Sequence, residues 1–204
     1  MTSRRGTLFV VSAPSGAGKT TLCREVRLRV SDLAYSVSFT TRAPRPGEVD
    51  GSDFHFVSVH EFRAHRDRGE FAEWAQVHGN YYATSAVAID TALARGRDVL
   101  LDIDTQGATQ LRARYPEAVL VFIVAPSLAE LEQRLRERGS DGEGEIDRRL
   151  RRAREEISLW KQYDYLIVNR DVKEAVDQLT AIITAERART VRLTLTLADL
   201  EVPN

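Results

Sequence analysis

The residues in this chain best suited to chemistry lie near its start, in the stretch Thr7 to Leu22, TLFVVSAPSGAGKTTL. An apolar, β-branched run, Leu8 to Val11, suits a strand buried on both faces. Ala13, Pro14, Ser15, Gly16, Ala17 and Gly18 then form a loop of small residues. Lys19, Thr20 and Thr21 open a helix marked by Leu22, Val26 and Val30. Strand, Gly-rich turn and helix start together make a cradle for phosphates. Backbone N–H groups point inward and the helix N-terminus adds positive potential. The lysine ammonium reaches the outer phosphates, and the hydroxyl after it, Thr20, binds Mg²⁺. The pattern G-x-x-x-x-G-K-(S/T) is met except at its first position, where Ala13 replaces glycine. A methyl group there requires φ below zero, which a strand end supplies. The loop implies a nucleoside triphosphate ligand.

A second set of residues suits a second anion. Arg42 and Arg45 sit three apart on RAPRPGEVDG, a loop stiffened by two prolines. Guanidinium forks grip phosphate through two hydrogen bonds. Glu73 lies in a predicted strand, Phe71 to His78, on one face with Phe71, Ala75 and Val77. A carboxylate among apolar neighbours costs several kcal/mol unless donors meet it, so Glu73 either faces solvent or serves a ligand. The predicted strand Val99 to Ile103 is bracketed by Asp98 and Asp104, and the carboxyl end of such a strand is where open α/β sheets place chemistry. Arg134, Arg138, Arg148, Arg149, Arg151, Arg152 and Arg154 flank a Gly-rich break, Gly139 to Glu145. Most of those arginines are expected on a solvated face, but two such helices about a glycine hinge also suit a lid over phosphates. Two phosphate-gripping sets and a basic lid imply phosphoryl transfer between nucleotides, a reaction that needs placement and charge neutralisation more than covalent help.

The elements that must position these groups follow from the pattern. Tyr35 to Thr41 and Phe54 to Val59 alternate like strands, and Glu61 to Arg68 reads as a short helix. Gly79-Asn80 marks a hairpin, followed by a helix from Ala86 to Ala94. Nothing between Ser38 and Ser85 resembles a β-α-β crossover, so a small, mostly antiparallel insert is expected. Parallel-sheet grammar returns with a helix from Gln106 to Arg114, strand Ala118 to Val124, a helix capped by Ser127, a helix from Ile146 to Tyr163, strand Tyr165 to Val168 and a helix from Val172 to Ala188. The tail, Thr190 to Asn204, is apolar enough to order on an edge strand or a neighbouring subunit.

At 204 residues, 43% hydrophobic and net charge −1, the chain suits one α/β domain with a sizeable core. The near-neutral balance argues against nucleic acid or a membrane surface as the partner. Lysine occurs only at positions 19, 161 and 173, which singles out the one in the loop. The lone cysteine, Cys23, is expected as a small core residue. His55, His60, His65 and His78 show no metal-ligand spacing. No signal-like segment or membrane-length apolar run appears, so a cytoplasmic location is expected.

The phrases VSAPSGAGKTTL, SFTTRAPRPGEVDG, FAEWAQVHGNYYATS, LLDIDTQG, RLRERG and IVN closely resemble the guanylate kinase family, over about Gly6 to Ala188. That resemblance implies a P-loop NTPase three-layer fold with a parallel core sheet (1–34, 97–126 and 160–190). It also implies a GMP-binding insert at about 35–96, a helical lid at about 127–159 and a tail from 191. It implies ATP and GMP as substrates and Mg²⁺ as cofactor, and leaves homo-oligomerisation open. By the same resemblance Ser38, Arg42, Arg45 and Tyr82 would hold the GMP phosphate. Glu73 would accept hydrogen bonds from guanine, with Thr84 and Asp104 completing the base contacts. Residues 13–21 would cradle the ATP phosphates, with Asp102 near the metal and sugar. Lys19, Arg42, Arg134, Arg138 and Arg149 would act on the transferring group, and Asn169 would sit by adenine. Two departures stand out. Phe54 occupies a position where the family usually has a tyrosine whose hydroxyl joins the GMP phosphate, and Arg170 stands where an acidic residue is often found. Alternatives on the same chassis are a ribosyl-phosphate kinase, which has no reason to keep Glu73, Tyr82 and Thr84 together, and a non-catalytic binding module, which has no reason to keep Lys19, Thr20, Arg42 and Arg45.

Overall fold

The computed structural model describes residues 3–77, 79–137 and 142–194. In chain order these form β1 (Ser3–Arg4), β2 (Leu8–Ser12), α1 (Lys19–Arg29), β3 (Leu33–Tyr35), β4 (Ser38–Thr40), β5 (Phe54–Phe56), α2 (Val59–Asp67), β6 (Phe71–Val77), β7 (Asn80–Ser85) and α3 (Ala86–Ala94). There follow β8 (Asp98–Asp102), α4 (Thr105–Arg114), β9 (Val119–Val124), α5 (Leu128–Glu137), α6 (Glu143–Ser158), β10 (Tyr165–Val168), α7 (Val172–Arg187) and β11 (Leu193–Thr194).

Five parallel strands in the order β10-β9-β2-β8-β3 make the main sheet. Every residue of β2 is buried, because its two faces feed two apolar layers. Phe9 and Val11 pack with Leu22 and Val26 of α1, Leu131 of α5 and Val176 of α7. Leu8 and Val10 pack instead with Ile89 of α3 and Leu111 of α4. This three-layer α/β arrangement is the expected one, and Cys23 lies in the first of the two layers.

A separate four-stranded sheet, β5-β4-β7-β6, carries the insert. Two of its three pairings are antiparallel and one, β4 with β5, is parallel. The hairpin pairs Val77 with Asn80, and Gly79 sits at φ 82°. The turn therefore closes one residue earlier than Gly79-Asn80 suggests. His78 lies outside the described residues.

Some boundaries differ from the sequence pattern. Tyr35 to Thr41 is not one strand: β3 ends at Tyr35 in the main sheet and β4 starts at Ser38 in the insert sheet. The run from Phe54 stops at Phe56, because Ser58 caps α2 in a reciprocal capping box with Glu61. The predicted helix from Ile146 to Tyr163 begins earlier, at Glu143, and gives way after Ser158 to a 3₁₀ turn, Trp160–Gln162. The start of the tail pairs as an antiparallel edge, β11 on β1; residues 195–204 lie outside the described residues.

Asp98, wholly buried at the start of β8, binds the ends of the chain together. It accepts hydrogen bonds from Arg4, from the Thr7 N–H at 2.8 Å and from Arg187 Nε at 2.6 Å. Burial alone would raise its pKa, but the bonds from Arg4, Thr7 and Arg187 outweigh that and hold it below the ordinary value. Removing a buried ionic partner strands the charges it matched. Asp98→Ala should therefore lose about 3 kcal/mol, at the lower end because both arginines keep some water contact. Because the folded pKa is depressed, the stabilisation is present at neutral pH and lost as pH falls through the carboxylate range. Thermal melts of parent and variant should differ at pH 7 and converge in acid.

Candidate active site

The loop between β2 and α1 turns as its glycines permit. Gly16 and Gly18 adopt φ of 92° and 93°, and Asp32 is the one non-glycine with positive φ among the described residues. Ala13 therefore sits at ordinary negative φ, as its methyl demands. Asn169, at the end of β10 and 2% exposed, fastens the loop from beneath. Its Nδ2 donates to the Ala17 carbonyl at 2.8 Å, and a Cβ on Gly18 would lie 2.4 Å from that nitrogen. Arg134 of α5 donates to the Asn169 carbonyl at 3.1 Å. The first residue of α1, Lys19, points its Nζ at the carboxyl end of β8. There it lies 3.0 Å from Asp102 and donates to the Ile103 carbonyl at 2.8 Å.

Two cavities meet at this lysine. One, about 430 Å³, is lined by the phosphate loop from Ala13 to Thr21 apart from Ala17, and by Arg134, Arg149, Arg152 and Glu156 from α5 and α6. The other, about 490 Å³, lies against the insert sheet and is lined by Ser38, Phe54, Glu73, Ala75, Tyr82 and Asp102, with Cys23, Arg24 and Arg27 on the α1 side. Lys19, Thr20, Val77 and Asp104 belong to both walls. A ligand in one cavity thus ends where a ligand in the other begins.

Glu73 occupies the deep end of the insert cavity. It is 5% exposed and, among the described residues, receives one hydrogen bond, from the Thr84 hydroxyl at 2.6 Å. Its other oxygen rests against α4 so closely that a Cβ on Gly107 would sit 2.5 Å away. Burial, only partly offset by the Thr84 hydroxyl and increased by nearby Asp104, pushes this carboxyl up to about 7. Asp104 caps α4, accepting from the Gly107 N–H at 2.9 Å. Its second oxygen is buried, without a hydrogen bond, 3.7 Å from Arg152.

The expected site residues fall into groups. Residues 13–16 and 18–21, with Arg134 and Arg149, line the loop cavity, whereas Ala17 is wholly buried behind it. Ser38, Glu73, Tyr82, Asp102 and Asp104 share the insert cavity, and Thr84 lies behind Glu73. Arg42 and Arg45 are not on its wall. Arg42 is held by both oxygens of Glu48, at 2.9 and 3.0 Å, over the rings of Phe54 and Phe56, while Arg45 is exposed. Asn169 is placed under the phosphate loop rather than on a cavity wall. Arg138 lies outside the described residues. The arginines of α6 divide: Arg151 and Arg154 face solvent, while Arg149 and Arg152 turn half-buried toward the loop. Sequence reasoning kept Arg152 within a group of arginines expected mostly on a solvated face, and did not single out Glu156. Their four-residue spacing on α6, the same face as Arg149, is the signal that finds them.

A phosphate loop joined to a second, carboxylate-ended cavity by a shared lysine defines a P-loop nucleotide-binding protein with room for two ligands. The family profile described as Guanylate kinase matches residues 5–186. A guanylate kinase of Aromatoleum aromaticum is 56% identical over 184 residues, covering 90% of each chain. One from Geobacter metallireducens is 50% identical over 196 residues, covering 96% of this chain and 97% of the relative. The crystal structure of guanylate kinase from Anaplasma phagocytophilum superposes with a TM-score of 0.79 at 34% identity, covering 95% of this chain and 93% of that one. The chain belongs to the guanylate kinase family.

Glu73 carries a cost that stability measurements can read. Its folded pKa is raised, so above about pH 7 the fold must hold an ionised carboxylate in a dry site, and below the ordinary carboxylate pKa it does not. Glu73→Gln should raise the melting temperature at pH 8, and the gain should vanish as the pH is brought to 4.

Proposed function

We propose that this chain transfers the γ-phosphoryl group of ATP to GMP, and to dGMP, giving ADP and GDP in a Mg²⁺-dependent reaction of cytoplasmic purine nucleotide metabolism that also recycles GMP. The carrying observation is the buried, nearly unpartnered carboxylate of Glu73 in a cavity continuous with a phosphate loop. Guanine offers two adjacent donors, N1–H and the exocyclic amine, to one carboxylate. Adenine in the same pose leaves Glu73 charged and unpaired, and sites that punish a missing partner in this way discriminate by about 10⁴–10⁵.

The residues then divide the work. The phosphate loop and Lys19 hold the ATP phosphates. Ser38, Arg42, Arg45 and Tyr82 hold the GMP phosphate, which requires Arg42 to exchange Glu48 for the ligand and the insert loop to move inward. Among the described residues no three acidic, His or Cys side chains converge as a metal cage. Mg²⁺ needs none, because one or two side-chain oxygens and the substrate's phosphates suffice. The Thr20 hydroxyl on the cavity wall fits that role, with Asp102 close by, and the ion supplies neutralisation of phosphate charge. An oxygen of the GMP phosphate bonds to the γ-phosphorus as the bond to the ADP oxygen breaks. Lys19, Arg134, Arg138 and Arg149 balance the charge spread over the moving group.

An assay coupled to ADP release, offering GMP, AMP, UMP and CMP in turn, should show turnover with GMP alone. AMP used at a comparable rate would defeat the assignment of Glu73. Arg149→Ala should lower kcat by about 10³ or more. Guanine's donors need an ionised carboxylate, so kcat/KM for GMP should rise with pH through a midpoint near 7, and Glu73→Gln should flatten that profile. Phe54 lies beside Tyr82 and under Arg42, so Phe54→Tyr should add a donor toward the GMP phosphate. A bond of this kind to a charged group is worth about 1.5–3 kcal/mol, and the readout is a lower KM for GMP.

A further inference from the structure

Glu73 stands immediately after an irregularity in its strand: the register of β6 on β7 shifts between Phe71 and Glu73. β6 is also an edge strand of the insert sheet: among the described residues, β7 pairs on one side and no strand on the other. An irregular edge strand is held in register on one side only, and a slip of one residue would turn every side chain to the opposite face. In β6 that slip would swing Glu73 out of the cavity and put Trp74 in its place.

The open edge is held from α4. Gln110 Oε1 accepts from the Trp74 N–H at 3.2 Å, and Gln110 Nε2 donates to the Trp74 carbonyl at 2.8 Å. One side-chain amide thus satisfies both backbone groups of one residue, as a neighbouring strand would. A primary amide has both a donor and an acceptor at the right separation for this, and the two contacts fix which way round the amide lies. The same helix face carries Gly107, against which Glu73 rests, and Arg114, whose guanidinium donates to the Phe71 carbonyl at 3.3 Å. The three residues follow one stripe of α4 and grip β6 on both sides of the irregularity. Gln110 is exposed and lines neither cavity, so it touches no substrate.

We infer that Gln110 is a positioning residue for base recognition: by clamping Trp74 it fixes the register of β6 and so aims the Glu73 carboxylate at both donors of the purine. This rests on the reading that Glu73 accepts from guanine, and it adds what sets the accuracy of that contact. Hypoxanthine, which lacks the exocyclic amine, gives Glu73 one donor instead of two, so a misaimed carboxylate loses more with GMP than with IMP.

The test is steady-state kinetics of the full chain with GMP and IMP, for Gln110→Met, which keeps volume and loses both hydrogen bonds, and for Gln110→Glu, which keeps the acceptor and sets a carboxylate against the Trp74 carbonyl. Each is made in the parent and in Glu73→Gln, with thermal melts alongside. Both Gln110 variants should raise KM for GMP about three- to ten-fold, leave kcat and KM for ATP within about two-fold, and lower the GMP-to-IMP ratio of kcat/KM. In the Glu73→Gln background Gln110→Met should add nothing, because the effect runs through that carboxylate. The inference is overturned if Gln110→Met leaves KM for GMP unchanged. It is also overturned if the effect is equally large in both backgrounds, or if GMP and ATP parameters move together with a fall in melting temperature. Should Glu73→Gln by itself leave KM for GMP unaltered, the base-reading assignment fails first, and this inference with it.

Discussion

A carboxyl group buried where, among the described residues, a single hydroxyl meets it is the constraint around which this molecule is arranged. Glu73 has one hydroxyl for company and a helix backbone at its back, and its raised pKa measures how poorly water is replaced. The fold tolerates this because the insert sheet is built around it. Thr84 sits directly across on β7, Gly107 is small enough to let α4 approach, and the irregular turn of β6 directs the carboxylate inward. Of these features the Thr84 hydroxyl offsets part of the burial, and the rest of the cost remains with the carboxyl.

Several cations among the described site residues are arranged in the opposite way, each already paired. Lys19 leans on Asp102, Arg42 on Glu48, Arg134 on Glu130 and the Asn169 carbonyl, and Arg152 on Glu156 with Asp104 beyond. Such pairings keep mutually repelling groups close together without a ligand, and they lower the cost of holding them in place. Each pair keeps some contact with water, which leaves it weaker than a fully buried pair. In the proposed reaction, selectivity would rest on the carboxyl met by a single hydroxyl, and capacity for charge on the cations that already have partners.

How much of this was legible depends on whether a signal is local. The phosphate loop was, because its glycines, lysine and hydroxyl are consecutive and their roles follow from backbone geometry. The parallel strands were too, since fully buried strands are unbroken apolar runs. Tyr35 to Thr41 was misread because alternation says that a segment is extended, not which sheet it joins, and here the chain crosses from one sheet to the other between Tyr35 and Ser38. Arg152 and Arg149 carry the same chemistry as Arg151 and Arg154, and only the orientation of α6 separates them. The contacts made by Asn169 and Gln110 were beyond reach for a different reason. Their work is done on the backbone of residues far along the chain, Ala17 and Trp74, and no spacing in the sequence encodes such a contact.

The order of strands in the main sheet carries a consequence for the chain as it is made. β2 is synthesised first yet lies in the middle, and the partner its neighbour Thr7 needs, Asp98, is 91 residues further on. Until then the ribosome displays a short, uncharged, β-prone run from Leu8 to Ser12 with both edges unpaired, the composition that self-associates most readily. Its strand neighbours, β8 and β9, follow only from residue 98 on, so this core strand is paired late in synthesis.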